Sequence, residues 1–213
     1  GRERRLRLKL EAANPTGSSK YRTARSLLDG LEREERLEPG ATVVESSSGN
    51  LALALASLCR TRGYRFTAVV DPHTAPSHVE KIEALGAAVE IADRPDQHGS
   101  YLRSRLWRVQ DLVRQHGHVW TNQYANPSNV QAHLDHTGPE IWCQTSEHCD
   151  VLLCAVSTGG TLAGISRFLR AVTPELKIVA VDAVGSVAVG GPAGPRGLVG
   201  IGSALRSAFL VPA

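Results

Sequence analysis

At 213 residues, with 42% apolar and 21% charged residues, the chain can bury one large or two small cores and is too apolar for a disordered tail. Its formal net charge of +3 comes from acids and bases mixed along the predicted helices with no block of one sign, which gives no footprint for nucleic acid or an anionic membrane. No run approaches the roughly 20 apolar residues needed to span a bilayer, and the Arg-rich N-terminus lacks the apolar core of a signal peptide, so a cytoplasmic protein is expected.

In chain order, Arg4 to Glu11 alternates through Leu6, Leu8 and Leu10, the period of a half-buried strand. After the turn Asn14-Pro15-Thr16-Gly17, Ser18 or Ser19 is placed to cap a helix carrying Ala24, Leu27, Leu28 and Leu31, which ends before Pro39-Gly40. Lys20 stands at the mouth of that helix among small, turn-forming residues. An amine buried there is disfavoured as ammonium, so its pKa falls and it becomes a nucleophile. The chain has twenty arginines but four lysines. Lys9 falls on the alternating strand, Lys81 on a charged helix face and Lys177 at a strand start after Pro174, which leaves Lys20 with reactive loop chemistry around it.

A repeating unit follows. Short β-branched runs (Thr42 to Glu45, Arg65 to Val70, Ala88 to Ile91, Val151 to Val156, Ile178 to Val181) alternate with helical stretches (Leu51 to Thr61, His78 to Leu85, Tyr101 to His116), and a further strand is expected after His118. Such alternation predicts an α/β fold of parallel sheets with helices on their faces. Gly185 to Ile201, rich in Gly and Pro, is expected to be irregular.

Two strand-to-helix loops carry chemistry. Glu45-Ser46-Ser47-Ser48-Gly49-Asn50 opens an apolar helix whose first N–H groups lack helical partners and attract an anion such as a carboxylate; an ordinary N-cap is the alternative. Val156-Ser157-Thr158-Gly159-Gly160-Thr161 repeats the arrangement, with two glycines for close backbone approach and three hydroxyls as donors, a phosphate cradle without the Walker lysine or the dinucleotide glycine spacing. Cys59, Cys143, Cys149 and Cys154 form no CxxC pair, and His116, His118, His133 and His136 have no acidic or thiol partners at ligand spacing, so neither disulfides nor a metal site is expected. Trp107, Trp120 and Trp142 read as core or interface residues. Lys20, an anion loop at Ser47 to Asn50 and a phosphate loop at Ser157 to Thr161 together suit pyridoxal 5′-phosphate, whose aldehyde a lysine holds and whose phosphate a Gly-rich helix start receives.

The stretches Asn-Pro-Thr-Gly-Ser-Ser-Lys (14–20), Ser-Ser-Gly-Asn (47–50), Asn-Gln-Tyr-Ala-Asn-Pro (122–127), Thr-Gly-Pro-Glu-Ile-Trp (137–142) and Ser-Thr-Gly-Gly-Thr (157–161) occur in the order and rough spacing of the cysteine synthase (O-acetylserine sulfhydrylase) family of fold-type II PLP enzymes, which the chain resembles over nearly its whole length. The resemblance implies Lys20 as Schiff-base lysine and Asn50 as partner of the cofactor's 3′-oxygen. It further implies Ser47, Ser48, Gly49 and Gln123 around the substrate α-carboxylate, and Ser157, Thr158, Gly159, Gly160 and Thr161 around the cofactor phosphate. Ser157 departs from the family pattern, which begins this loop with Gly.

Val70-Asp71-Pro72, Asn122 to Asn126 and Val181 to Val187 look more like the branch that makes N-(2-amino-2-carboxyethyl)-L-glutamate on the route to 2,3-diaminopropionate for siderophores or antibiotics. That branch implies β-replacement on O-phospho-L-serine through an α-aminoacrylate, with the L-glutamate amine as nucleophile. A dicarboxylate nucleophile calls for a guanidinium fork, and Arg105, on one helix with Tyr101, Arg103 and Arg108, is expected to act with Tyr124 as a second-substrate contact. A cysteine synthase using sulfide, or a non-catalytic binding subunit, is the alternative reading.

The resemblance also implies a homodimer and two domains: a larger PLP-binding one from residues 1–17 and 126–213, and a smaller one from 18–125. Family members begin upstream and continue past the position of Ala213, so the larger domain is expected to be incomplete here, with apolar surface laid open and low stability.

Overall fold

The computed structural model describes residues 5–97, 99–198 and 200–210. A 3₁₀ turn, Glu11–Ala13, precedes α1 (Lys20–Arg33), β1 (Thr42–Ser46), α2 (Asn50–Arg62), β2 (Arg65–Val70), α3 (Pro76–Ala84), β3 (Ala88–Ile91), α4 (Tyr101–His116) and β4 (Val119–Trp120). After these come α5 (Ser128–Ala132), a π-helical turn (His133–Thr137), α6 (Gly138–Gln144), β5 (Val151–Ala155), α7 (Gly160–Val172) and β6 (Lys177–Val181).

The first sheet is parallel, in the order β3-β2-β1-β4. Alternation along its strands sends Val43, Phe66, Ala68 and Val70 into a core with Leu27, Leu28 and Leu31 of α1, Leu51 and Leu55 of α2 and Ile82 of α3. Val44 and Val69 point the other way, against Val109 and Leu112 of α4. Both faces are thus covered, as a parallel sheet requires. The second sheet pairs β5 with β6, also parallel. One face packs Leu152 and Ile178 against Leu162, Ile165 and Leu169 of α7, whereas Val151, Leu153 and Val181 on the other are 49%, 60% and 46% exposed.

The expected strand from Arg4 to Glu11 does not form. Arg4 lies outside the described residues, and residues 5–10 have no regular structure. Leu6, Leu8 and Leu10 are exposed, and the segment is held instead by polar contacts to α6: Arg7 Nη1 donates to the Gln144 carbonyl at 2.7 Å and Lys9 Nζ to Glu140 at 2.6 Å. The Gly185 to Ile201 run is irregular across its described residues. Trp107 is 56% exposed and belongs to no core cluster.

In both sheets the C-terminal strand ends lead into the loops singled out above. Ser47 to Gly49 follows β1, Thr121 to Tyr124 follows the adjacent β4, and Ser157 to Gly159 follows β5. Open α/β sheets bind their ligands at that edge.

Candidate active site

Lys20 is the first residue of α1, two residues past Ser18, whose Oγ accepts the Lys20 backbone N–H at 3.1 Å. The serine therefore begins the helix while the lysine side chain turns inward. Burial holds the Lys20 amine below the ordinary lysine pKa, and the nearest opposing influence is the Cys154 thiol. Cys154 lies on β5, the strand that runs into the Ser157 to Thr161 loop, so an amine whose charged form is disfavoured is close to the strand that leads to the expected phosphate cradle.

The donor chemistry of the loop suits a phosphate, with hydroxyls and helix-start N–H groups, while its glycines are dictated by close packing. Gly159 has φ +91°, a conformation suited to glycine, and a Cβ there would collide with Ser207 Oγ. A Cβ on Gly160 would collide with Asn129 Oδ1. The loop accordingly opens α7 with bare backbone, and the first turn of a helix presents N–H groups that have no helical acceptor. Thr158 Oγ1 accepts from Asn129 Nδ2 at 3.0 Å, and Thr161 Oγ1 lies 3.1 Å from His133 Nε2. Ser157, the departure from the family pattern, donates its hydroxyl to the Gly202 carbonyl at 3.1 Å. It pins the Gly-rich segment instead of facing the cradle.

The second cluster forms between β1 and β4. Ser47 Oγ accepts the Ala52 N–H at 3.3 Å, capping α2, and so retains its own proton. Gly49 precedes α2 and Asn50, exposed, begins it. Gln123 is buried: its Nε2 donates to the Ser46 carbonyl at 3.1 Å, which ties it to the serine loop. Arg105 alone of the arginines on α4 reaches this loop, with Nη1 3.4 Å from Ser48 Oγ and 3.4 Å from Asp71 Oδ2. Arg103 faces Asp96 and Arg108 pairs with Glu90. Arg105 Nε is buried without a hydrogen-bond partner, so this guanidinium is incompletely satisfied. Burial, with the nearby Glu45 carboxyl, pushes the Tyr124 phenol up to about 12; Arg105 and Arg196 oppose the shift, which places Tyr124 among these groups.

Several contributors were not apparent from sequence. Glu45, fully buried at the end of β1, accepts from Ser46 N–H (2.7 Å), Trp120 Nε1 (3.4 Å), the Thr121 hydroxyl (2.6 Å) and Gln123 N–H (3.0 Å). A carboxylate directly after the apolar pair Val43-Val44 was the one available signal. Asn129 and His133, both fully buried, link α1 to the cradle. Among the described residues no group of three or more His, Cys, Asp or Glu is placed to hold a metal ion, and no helix is long and apolar enough to cross a membrane.

A family model described as pyridoxal-phosphate dependent enzyme matches residues 1–201. The chain is 47% identical over 204 residues to the N-(2-amino-2-carboxyethyl)-L-glutamate synthase of Ralstonia nicotianae, covering 95% of this chain and 60% of that protein. It is 45% identical over 196 residues to the protein of the same name from Cupriavidus metallidurans, covering 92% and 58%. It thus spans about three fifths of the length of these curated relatives. The solved structure of O-ureido-L-serine synthase superposes with a TM-score of 0.88 at 30% identity, covering 95% of this chain and 64% of that one. With a family match over residues 1–201 and parallel sheets arranged as in fold-type II, the chain belongs to the pyridoxal-phosphate dependent enzyme family.

Proposed function

We propose that this chain carries the cofactor and first-substrate machinery of an enzyme that replaces the Cβ substituent of an O-activated L-serine, O-phospho-L-serine in particular, with the amine of L-glutamate. The reading rests chiefly on the burial of the Lys20 amine beside Cys154, on the strand entering the cradle. When bound, pyridoxal 5′-phosphate supplies an aldehyde for that amine and a ring that takes up the electron pair left at Cα. Lys20 would hold it covalently, Asn50 would meet its 3′-oxygen, and the Thr158 to Thr161 backbone and hydroxyls would hold its phosphate.

The chain's own residues divide the remaining work. Lys20, whose charged form burial disfavours, takes a proton from Cα and later returns it. Ser47 and Ser48, with the Gln123 amide fixed opposite them, hold the α-carboxylate. Tyr124, a neutral phenol throughout the physiological range, donates a hydrogen bond. Arg105, whose two contacts are both long, exchanges them for a bidentate carboxylate of the second substrate. The names of the two synthase relatives support glutamate as that substrate. The division into residues 18–125 and 1–17 with 126–213, and a homodimer, belong to the same proposal, the latter checked by sedimentation.

Borohydride reduction after loading with pyridoxal 5′-phosphate, followed by mass spectrometry, should place a phosphopyridoxyl group on Lys20. An unmodified Lys20 would overturn the reading and favour a non-catalytic binding subunit. Offering O-phosphoserine or O-acetylserine with glutamate or sulfide, and weighing the products, then separates the glutamate reaction from a cysteine synthase.

A further inference from the structure

Behind the cradle lies a buried polar cluster to which the proposed reaction assigns no part. Asn129, on α5, and His133, which opens the π-helical turn, are 0% exposed and four residues apart. Asn129 Nδ2 lies 2.7 Å from the Gln123 carbonyl oxygen and 3.0 Å from Thr158 Oγ1. Thr23 Oγ1, one turn along α1 from Lys20, lies 3.4 Å from Asn129 Oδ1 and 3.2 Å from His133 Nε2. His133 Nε2 is 3.1 Å from Thr161 Oγ1, and Nδ1 is 2.9 Å from Thr137 Oγ1.

Counting protons gives this cluster a direction. A carbonyl has none to donate, so the end of Asn129 that faces Gln123 is its amide nitrogen and the other end, facing Thr23, is its oxygen. That oxygen only accepts, and Thr23 must give it its single hydroxyl proton. Thr23 then has none for His133. In a neutral imidazole, Nε2 must carry the hydrogen that Thr23 and Thr161 receive, leaving Nδ1 to accept from Thr137. Burial, with Lys20 and Arg22 nearby, keeps His133 neutral by lowering its pKa to about 3.

We infer that Asn129 and His133 are positioning residues that set proton direction in the phosphate loop: Thr158 and Thr161 accept from the interior, so each hydroxyl keeps its own proton for an anion at the start of α7. The inference takes that anion to be the cofactor phosphate and to this extent rests on the reading above. Close approach by α7 makes it feasible. A Cβ on Gly160 would collide with Asn129 Oδ1, and one on Gly164 would collide with the Val130 carbonyl and stand 2.7 Å from His133 Cβ.

Two measurements on the full chain test it. Ring ¹⁵N spectra at neutral pH should show His133 as the Nε2–H tautomer; the Nδ1–H tautomer or an imidazolium would overturn the inference without any variant having to fold. Second, His133→Leu should weaken pyridoxal 5′-phosphate about tenfold while pyridoxal, which lacks the phosphate, changes less than about twofold. His133→Gln, whose amide supplies an N–H to Thr161, should recover most of the loss. Equal weakening of both aldehydes, no weakening, or no recovery by glutamine would each refute the role. If wild-type chain takes neither aldehyde onto Lys20, the active-site reading fails, while the tautomer still decides the direction of the cluster.

Discussion

Replacing Glu45 by glutamine turns one acceptor into a donor where the fold aims four donors at two oxygens. Burial pushes this carboxyl toward its neutral form, and the donors pull it back. The Ser46, Gln123 and Trp120 N–H groups cannot reverse their roles, whereas the Thr121 hydroxyl can. A glutamine amide set toward the first oxygen would face both Ser46 and Trp120. Set toward the second, it faces Thr121, which rotates to accept, and strands the Gln123 N–H alone. One buried donor left unmade costs about 1–3 kcal/mol. For a chain of this length that lowers Tm by roughly 2–12 °C. Thermal unfolding followed by circular dichroism reads the shift, and faster amide exchange at Gln123 locates it. A Glu45→Gln protein that melts at or above wild type would mean that the site tolerates a neutral side chain, and the four-donor account would fail.

Other substitutions probe neighbouring parts. Arg105→Ala should raise the half-saturating glutamate concentration about tenfold and leave the first half-reaction with O-phosphoserine intact; unchanged glutamate dependence would dismiss the assignment. Gly164→Ala, which meets a backbone carbonyl, should cost roughly 3 kcal/mol in urea denaturation. Gly17→Ala, at φ +72° with nothing within 4 Å, should cost about 1 kcal/mol, and the reverse order would contradict the packing. Glu140, gripped at 2.7 Å on each oxygen by Arg22, has its pKa held down to about 2. Its contribution is therefore complete above the reference value of 4.5 and lost as the pH falls toward 2. With the side chain 37% exposed, screening reduces it to about 1 kcal/mol. Glu140→Gln should flatten that acid limb; an unchanged limb refutes the assignment.

Local pattern was enough for the regular elements. The spacing along Tyr101 to His116 and the β-branched run Ala88 to Ile91 gave helix and strand with the bounds the structure has, because one face of each packs onto a neighbour. Leu6, Leu8 and Leu10 show the limit: alternation makes a strand only beside a partner strand, and Arg7 and Lys9 found α6 instead, more than 130 residues away. Lys20, the serine loop and the glycine cradle were visible because turn-forming residues cluster around them. Glu45, Asn129 and His133 were not, since a buried polar side chain is defined by partners from distant segments, such as Thr23 for His133 and Thr121 for Glu45. Ser157 could be flagged as unusual, yet its partner Gly202 lies 45 residues on.

The bare side of the β5–β6 pair has a practical outcome. Val151, Leu153 and Val181 form a greasy strip in contact with water, and water gains by being released from it. Sulfate, which strengthens that tendency, should salt the chain out early, and an environment-sensitive dye should brighten on the native protein. A lysine in place of Leu153 should suppress both effects and leave untouched the cradle that follows the end of the strand.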